Sequence, residues 1–256
     1  IEGFVNTGDD TTGISNTVSS QSIYVTYTKT LENDMGLTIG FTLTDATHAA
    51  GFSLDTDIGT FSTGTDWQMN SAADAMDGLP NNANVTSSAQ VLGTYDDGDP
   101  ASGEGVRWMS NPIGESGWTI AASLGEDTNA AAESDRITSI AASGSIGPVS
   151  VALGAVDQMG ASDDSFLTLG YTLGSVGLGY GIYDSDDDES TAISAMTEFA
   201  GLTVGVRFDD LDANVDNDQM LYSVGKELGG MSLTLMYSEQ DVADSSNWSL
   251  VYAMGF

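Results

Sequence analysis

The chain has 256 residues, 38 acids against 5 bases, a net charge of -33 and no cysteine. Thiolate catalysis, disulfides and Cys-type zinc sites are excluded, and a basic surface for nucleic-acid phosphates is excluded with them. Hydropathy is near zero, and no apolar run approaches the ~20 residues of a spanning helix.

The N-terminal stretch carries no basic, apolar signal segment, so the expectation is either a mature form or a protein that is not exported, and the strand pattern below favours the first. Ile1 to Asn6 reads as a short first strand, and Thr7 to Ser20 as a polar loop with Asp9 and Asp10. Gln21 to Thr30 alternates, with Ile23, Val25 and Tyr27 on one side. After the turn Leu31 to Gly36, the residues Leu37, Ile39, Phe41 and Leu43 continue that apolar face. This is a hairpin with period two. Ala50 to Leu54 and Ile58 to Thr65 read as a second hairpin turning near Asp55.

From Asp66 to Gly103 the pattern fails. A connection this long is functional or disordered in a compact domain. Within it, Ser71 to Pro80 has the form of a short helix ended by Gly78 and Pro80, and Val91 to Tyr95 that of a small strand.

Alternation resumes at Gly105 to Asn111, where Val106 and Trp108 oppose Arg107 and Met109. Trp118, Ile120, Ala122 and Leu124 mark the next strand, and an acidic loop spans Glu126 to Asp135. Further strands are expected near Arg136 to Ser145, Val149 to Val156, Ser165 to Leu173, Val176 to Tyr183, Thr191 to Phe199, Leu202 to Phe208, Gln219 to Leu228 and Met231 to Ser238. Acidic loops at Asp184 to Ser190, Asp209 to Asp218 and Glu239 to Ser245 separate hairpins with short Gly-rich turns. The last segment, Ser246 to Phe256, places Trp248, Leu250, Tyr252, Met254 and Phe256 on one side and small residues on the other.

Short turns therefore alternate with longer acidic loops. That is the connection pattern of an all-β, antiparallel, up-and-down transmembrane barrel, and about sixteen strands are expected. An even count puts both ends of the chain on the periplasmic side. Closure removes edges that lipid could not hydrate. One barrel domain over 1–256 is the reading.

Several segments carry a resemblance. Ser19 to Phe41 (S-S-Q-S-I-Y-V-T-Y-T-K-T-L-E-N-D-M-G-L-T-I-G-F) is similar to the early hairpin of alphaproteobacterial porins. Asp57 to Gly64 (D-I-G-T-F-S-T-G) resembles the strand leading into their constriction loop, S-A-A-D-A-M-D-G-L-P resembles part of that loop, and the final Phe resembles their terminal mark. The chain departs from the pattern in its short first strand. The resemblance implies a bacterial outer-membrane homotrimer, in contact with lipid and lipopolysaccharide, that passes small hydrophilic solutes and ions. It also implies that 66–103 folds into the lumen. Asp66, Asp74, Asp77, Asp96, Asp97 and Asp99 would then face the arginines of the wall.

By strand parity Arg107 and Arg207 point inward, whereas Arg136 stays ambiguous because small residues occupy both faces of its strand. Acids facing arginines would filter solutes by charge and size, and an acidic lumen should favour cations. The plainer alternative is that the arginines only hold the loop. Lys29 and Lys226 fall at the periplasmic rim, and Tyr27, Trp108, Trp118, Tyr237, Trp248 and Tyr252 are candidates for interfacial belts.

Asp210, Asp212, Asn214 and Asp216 resemble the start of a calcium loop, but Val215 replaces the required Gly and Leu221 the closing Glu. No cofactor is required, and loose calcium binding among carboxylates is the expectation, beside that of a merely solvated surface. His48 is the single histidine and falls at a short connection. No nucleophile motif accompanies it, so an enzyme is not expected. The competing readings are a substrate-specific outer-membrane channel and a soluble acidic β-sandwich or β-solenoid binding calcium or carbohydrate.

Overall fold

The computed structural model describes residues 2–8, 15–17, 23–31, 34–43, 48–64, 72, 104–127, 135–158, 163–185, 188–211, 218–229, 231–240 and 245–254. Every element among them is a β-strand. In chain order these are β1 (Glu2–Gly8), β2 (Ser15–Thr17), β3 (Ile23–Thr30), β4 (Gly36–Leu43), β5 (His48–Thr56), β6 (Gly59–Gly64), β7 (Glu104–Met109), β8 (Thr119–Asp127) and β9 (Asp135–Ile146). They continue with β10 (Val149–Gln158), β11 (Asp163–Leu173), β12 (Val176–Ser185), β13 (Asp188–Phe199), β14 (Leu202–Leu211), β15 (Gln219–Glu227), β16 (Met231–Gln240) and β17 (Ser245–Met254).

Sixteen of these seventeen strands coincide with segments read from the alternation. The addition is β2, which lies inside the segment expected to be a loop. It pairs with β1, Val5 opposite Asn16. Its three residues, Ser-Asn-Thr, carry no apolar alternation, so nothing in the pattern marks them. The strands also overrun the acidic blocks. Asp184 pairs with Glu189 and Ser185 with Asp188, so both strands extend into the segment expected to be a loop over Asp184 to Ser190. Asp209 and Asp210 belong to β14, not to a loop. Hydrated strand ends tolerate carboxylates, because the backbone ladder does not depend on apolar side chains. His48 opens β5 opposite Leu43, instead of lying in a connection.

The strands fall into two compact units. Ser20–Gly78 with Tyr95–Leu167 contains an antiparallel meander from β3 to β10. Ile1–Ser19 with Thr168–Phe256 contains the meander from β12 to β17, and β1 runs antiparallel to β17 with Glu2 opposite Ala253. The tight hairpins have the backbone they need. The β13–β14 connection is Ala200-Gly201, both at positive φ (53° and 72°), the two-residue turn whose twist matches the strands.

The side-chain distribution is inverted relative to a water-soluble protein. In the β12–β17 unit the exposed face carries Ile193, Val206, Tyr222, Leu235 and Trp248, all between 37% and 54% accessible. The other face buries Ser194, Arg207, Ser223 and Thr234 to 6% or less. Water would penalise this arrangement by about 25 cal/mol for each Å² of apolar surface left exposed. A hydrocarbon surround removes that penalty. On the exposed face Tyr222, Tyr237 and Trp248 are register neighbours, with ring centroids 6.2 Å and 4.7 Å apart. This row lies near the strand ends that border the acidic segments, where amphipathic rings suit a membrane interface.

Candidate functional site: the buried polar face

In the β3–β10 unit, alternation brings Ser62, Arg107, Ser123, Ser139 and Val156 into one register row on the buried face. Arg107 therefore lies opposite in parity to Val106, which is 53% exposed. Ser123 Oγ and Ser139 Oγ are 2.5 Å apart. The backbone N–H of Ala72 donates to both, at 2.7 Å to Ser139 and 3.0 Å to Ser123. Ala72 is fully buried and is the one described residue of the long connection between β6 and β7. At Ala72 that connection thus meets the buried face on β8 and β9, one and two strands beyond the one it leads into. Around the contact, Ala121, Ile137 and Ala141 are 3% exposed or less.

Arg136 was left open by the sequence. It is exposed, and shares parity with Ile140 at 60%, whereas Ile137 at 2% lies on the buried face. Lys29 and Lys226 are exposed too, with the parity of Tyr27 and Tyr222.

In the β12–β17 unit, Arg207 sits on the buried face between Ser194 and Leu221. Its Nε donates to Asp209 Oδ1 at 2.6 Å, and the two side chains are 4% and 1% exposed. This is a charge-assisted hydrogen bond between residues two apart on one strand face. Asp209 pairs in register with Gln219, which is 3% exposed. Asp209 was missed as a buried-face residue because it was counted with the acidic block. The signal was present as R-F-D, in which period two puts Arg207 and Asp209 side by side. Ser123 and Ser139 were missed because small hydroxyls are common on strands.

Asp66, Asp74, Asp77, Asp96, Asp97 and Asp99 lie outside the described residues, as do the short helix and small strand expected there apart from Ala72, which is in a turn. Of the calcium candidates, Asp210 ends near the tip of β14 and is exposed, while Asp212, Asn214 and Asp216 lie outside. Among the described residues no three His, Cys, Asp or Glu side chains gather as metal ligands.

Solved structures with a similar arrangement include porins and an outer membrane protein. A mutant of the porin of Rh. blastica superposes with a TM-score of 0.74 at 16% identity, covering 100% of this chain and 99% of that one. OmpT, an outer membrane protein of Vibrio cholerae, gives 0.69 at 15% identity over 98% and 94% of the two chains. At this identity the likeness establishes the fold, the antiparallel up-and-down sheet of the porin barrels. No curated protein matches the chain by sequence. The profile of the Gram-negative porins, however, matches residues 3–255. With an exposed apolar face, a buried polar face and a profile match over nearly its whole length, the chain belongs to the Gram-negative porins, non-enzymatic channels integral to the outer membrane.

Proposed function

We propose that this porin is a cation-selective diffusion channel for small hydrophilic solutes, assembled as a homotrimer among lipid and lipopolysaccharide, with the β6–β7 connection narrowing its lumen. The observation that carries the reading is the Arg207–Asp209 pair. Of the five bases, Lys29, Lys226 and Arg136 lie on the exposed face and Arg207 is matched by its own carboxylate. In this reading Arg107 is the one base that faces the acids of 66–103, which its register place opposite Ser62 on the buried face supports. An excess of fixed negative charge raises local cation concentration and repels anions.

The contact of Ala72 with Ser123 and Ser139 supports the narrowing role. The acids Asp66, Asp74, Asp77, Asp96, Asp97 and Asp99 would supply its charge, with Arg107 as the facing base. No cofactor is required in this reading. Calcium held loosely by Asp210, Asp212, Asn214 and Asp216 is dispensable, and chelation leaves conductance unchanged.

The test is reversal potential in a planar bilayer under a KCl gradient. The expected result is a shift toward the potassium potential, with current closing in three equal steps. A shift toward the chloride potential overturns the selectivity, and single-step closure overturns the trimer. Saturation of flux by one sugar or amino acid at low concentration would instead indicate a substrate-specific channel.

A further inference from the structure

The buried face of the β12–β17 unit has a hollow that the diffusion function does not need. It measures about 350 Å³ and is lined by Thr172, Ser175, Gly177, Met196, Glu198 and Thr203, with Thr197 at its edge. It lies beside the tight turns at Gly174-Ser175 and Ala200-Gly201, at the strand ends remote from the acidic segments. Its depth comes from register. Met196 is opposite Gly177 on β12 and Gly205 on β14, so no side chain stands on either side of it. The hydroxyls of Thr172 and Thr203 share the parity of buried Thr168 and Arg207, and so belong to the same face.

Glu198 is the single charged side chain lining the hollow. It is exposed, and among the described residues it has no ion-pair or hydrogen-bond partner. Thr197 is already committed, donating its hydroxyl to the carbonyl of Ser175 at 3.0 Å.

We infer that this hollow is a binding subsite for a small organic cation with a primary ammonium group and a short aliphatic body. An ammonium has three N–H donors and no acceptor. The hollow offers it one carboxylate and hydroxyl oxygens, with the Met196 side chain and a glycine floor for the methylenes. A divalent metal would need more carboxylates than one. An anion meets Glu198 as the one charged group of the lining and is repelled. The volume falls in the range of small-ligand pockets, which begin at about 300 Å³. The subsite rests on the channel reading for its route of access: in a porin barrel this face lines the lumen, and the short turns mark its periplasmic mouth.

The probe is cadaverine, titrated into the full chain folded in detergent with isotope-labelled methionine methyl groups, Met196 being assigned with Met196→Leu. The expected result is a saturable shift of the Met196 methyl signal in the millimolar range. Its midpoint should rise about fivefold in Glu198→Gln, as for a partly solvated ionic contact. Thr203→Val should weaken binding less. No Met196 response, or an equal midpoint in Glu198→Gln, overturns the subsite. Conductance separates the two readings. A conducting protein without the Met196 response keeps the channel and loses the subsite, whereas a non-conducting protein that titrates keeps the subsite and loses the channel.

Discussion

Removing both hydroxyls that receive Ala72 should release the β6–β7 connection from the wall. The N–H of Ala72 has two acceptors, Ser139 Oγ at 2.7 Å and Ser123 Oγ at 3.0 Å, in a site where Ala72 is fully buried. In Ser123→Ala the shorter bond survives, so the loss is about 0.5 kcal/mol, the low end for one net hydrogen bond. In Ser139→Ala the N–H falls back on Ser123, at a cost of about 1 kcal/mol. In the double variant the N–H is buried without an acceptor, which costs about 1–3 kcal/mol beyond the bonds themselves. The double loss therefore exceeds the sum of the singles, and the excess is a coupling energy of the kind a mutant cycle measures. A shift of about 2 kcal/mol changes the docked-to-undocked ratio about thirtyfold. Amide exchange at Ala72 reads that ratio directly, and open-channel noise in a planar bilayer reads its consequence. Single variants should be quiet and the double variant noisy, with higher mean conductance. Additive exchange effects with unchanged noise would refute the shared-acceptor argument and the positioning role of the two serines.

Asp209→Ala leaves the Arg207 guanidinium buried without its carboxylate, and should cost about 3–5 kcal/mol in urea unfolding, more than replacement of both partners by apolar residues. Gly154→Ala places a Cβ inside the contact surface of the Phe166 ring. It should destabilise by about 1–3 kcal/mol, and Phe166→Leu in the same chain should recover most of the loss. Leu235→Arg puts a charge at the middle of β16 on the exposed apolar face. In lipid this should cost about 2–4 kcal/mol, measured by the yield and unfolding midpoint of protein folded into vesicles. An unchanged midpoint would contradict a lipid-facing surface there.

Period two decided what could be read from the chain and what could not. It separates Val206 from Arg207 and Val106 from Arg107, because a pleated strand sends neighbours to opposite sides. Parity alone, though, does not say which side is wet. That came from the sign of the distribution: Ser194, Ser223 and Thr234 buried against exposed Ile193, Tyr222 and Leu235. Where both parities are apolar or small, as at Ile137 and Ile140 of β9, the pattern carries no preference, and Arg136 could be assigned only once those two side chains were seen on opposite faces. Contacts that depend on a distant segment were equally invisible. Nothing near Ser123 or Ser139 announces that residue 72 will donate to them, since the information lies in how the β6–β7 connection travels.

The apolar members of the buried face extend this point. A face that merely bounded water would have little use for Ile137, Val156 and Phe166, yet these are 4% exposed or less. Each buried aliphatic or aromatic side chain contributes about 1.5–3 kcal/mol when water is excluded from it. Ser139, paired with Val156 and bonded to Ala72, stands at the edge of this patch. The patch therefore gives the docked Ala72 an apolar surround beside its hydrogen bonds. A wall built only of hydroxyls would exchange them for water at little cost and hold the connection loosely. The sequence pattern that reads as an impure polar face is thus what allows the part of that face around Ala72 to be dry.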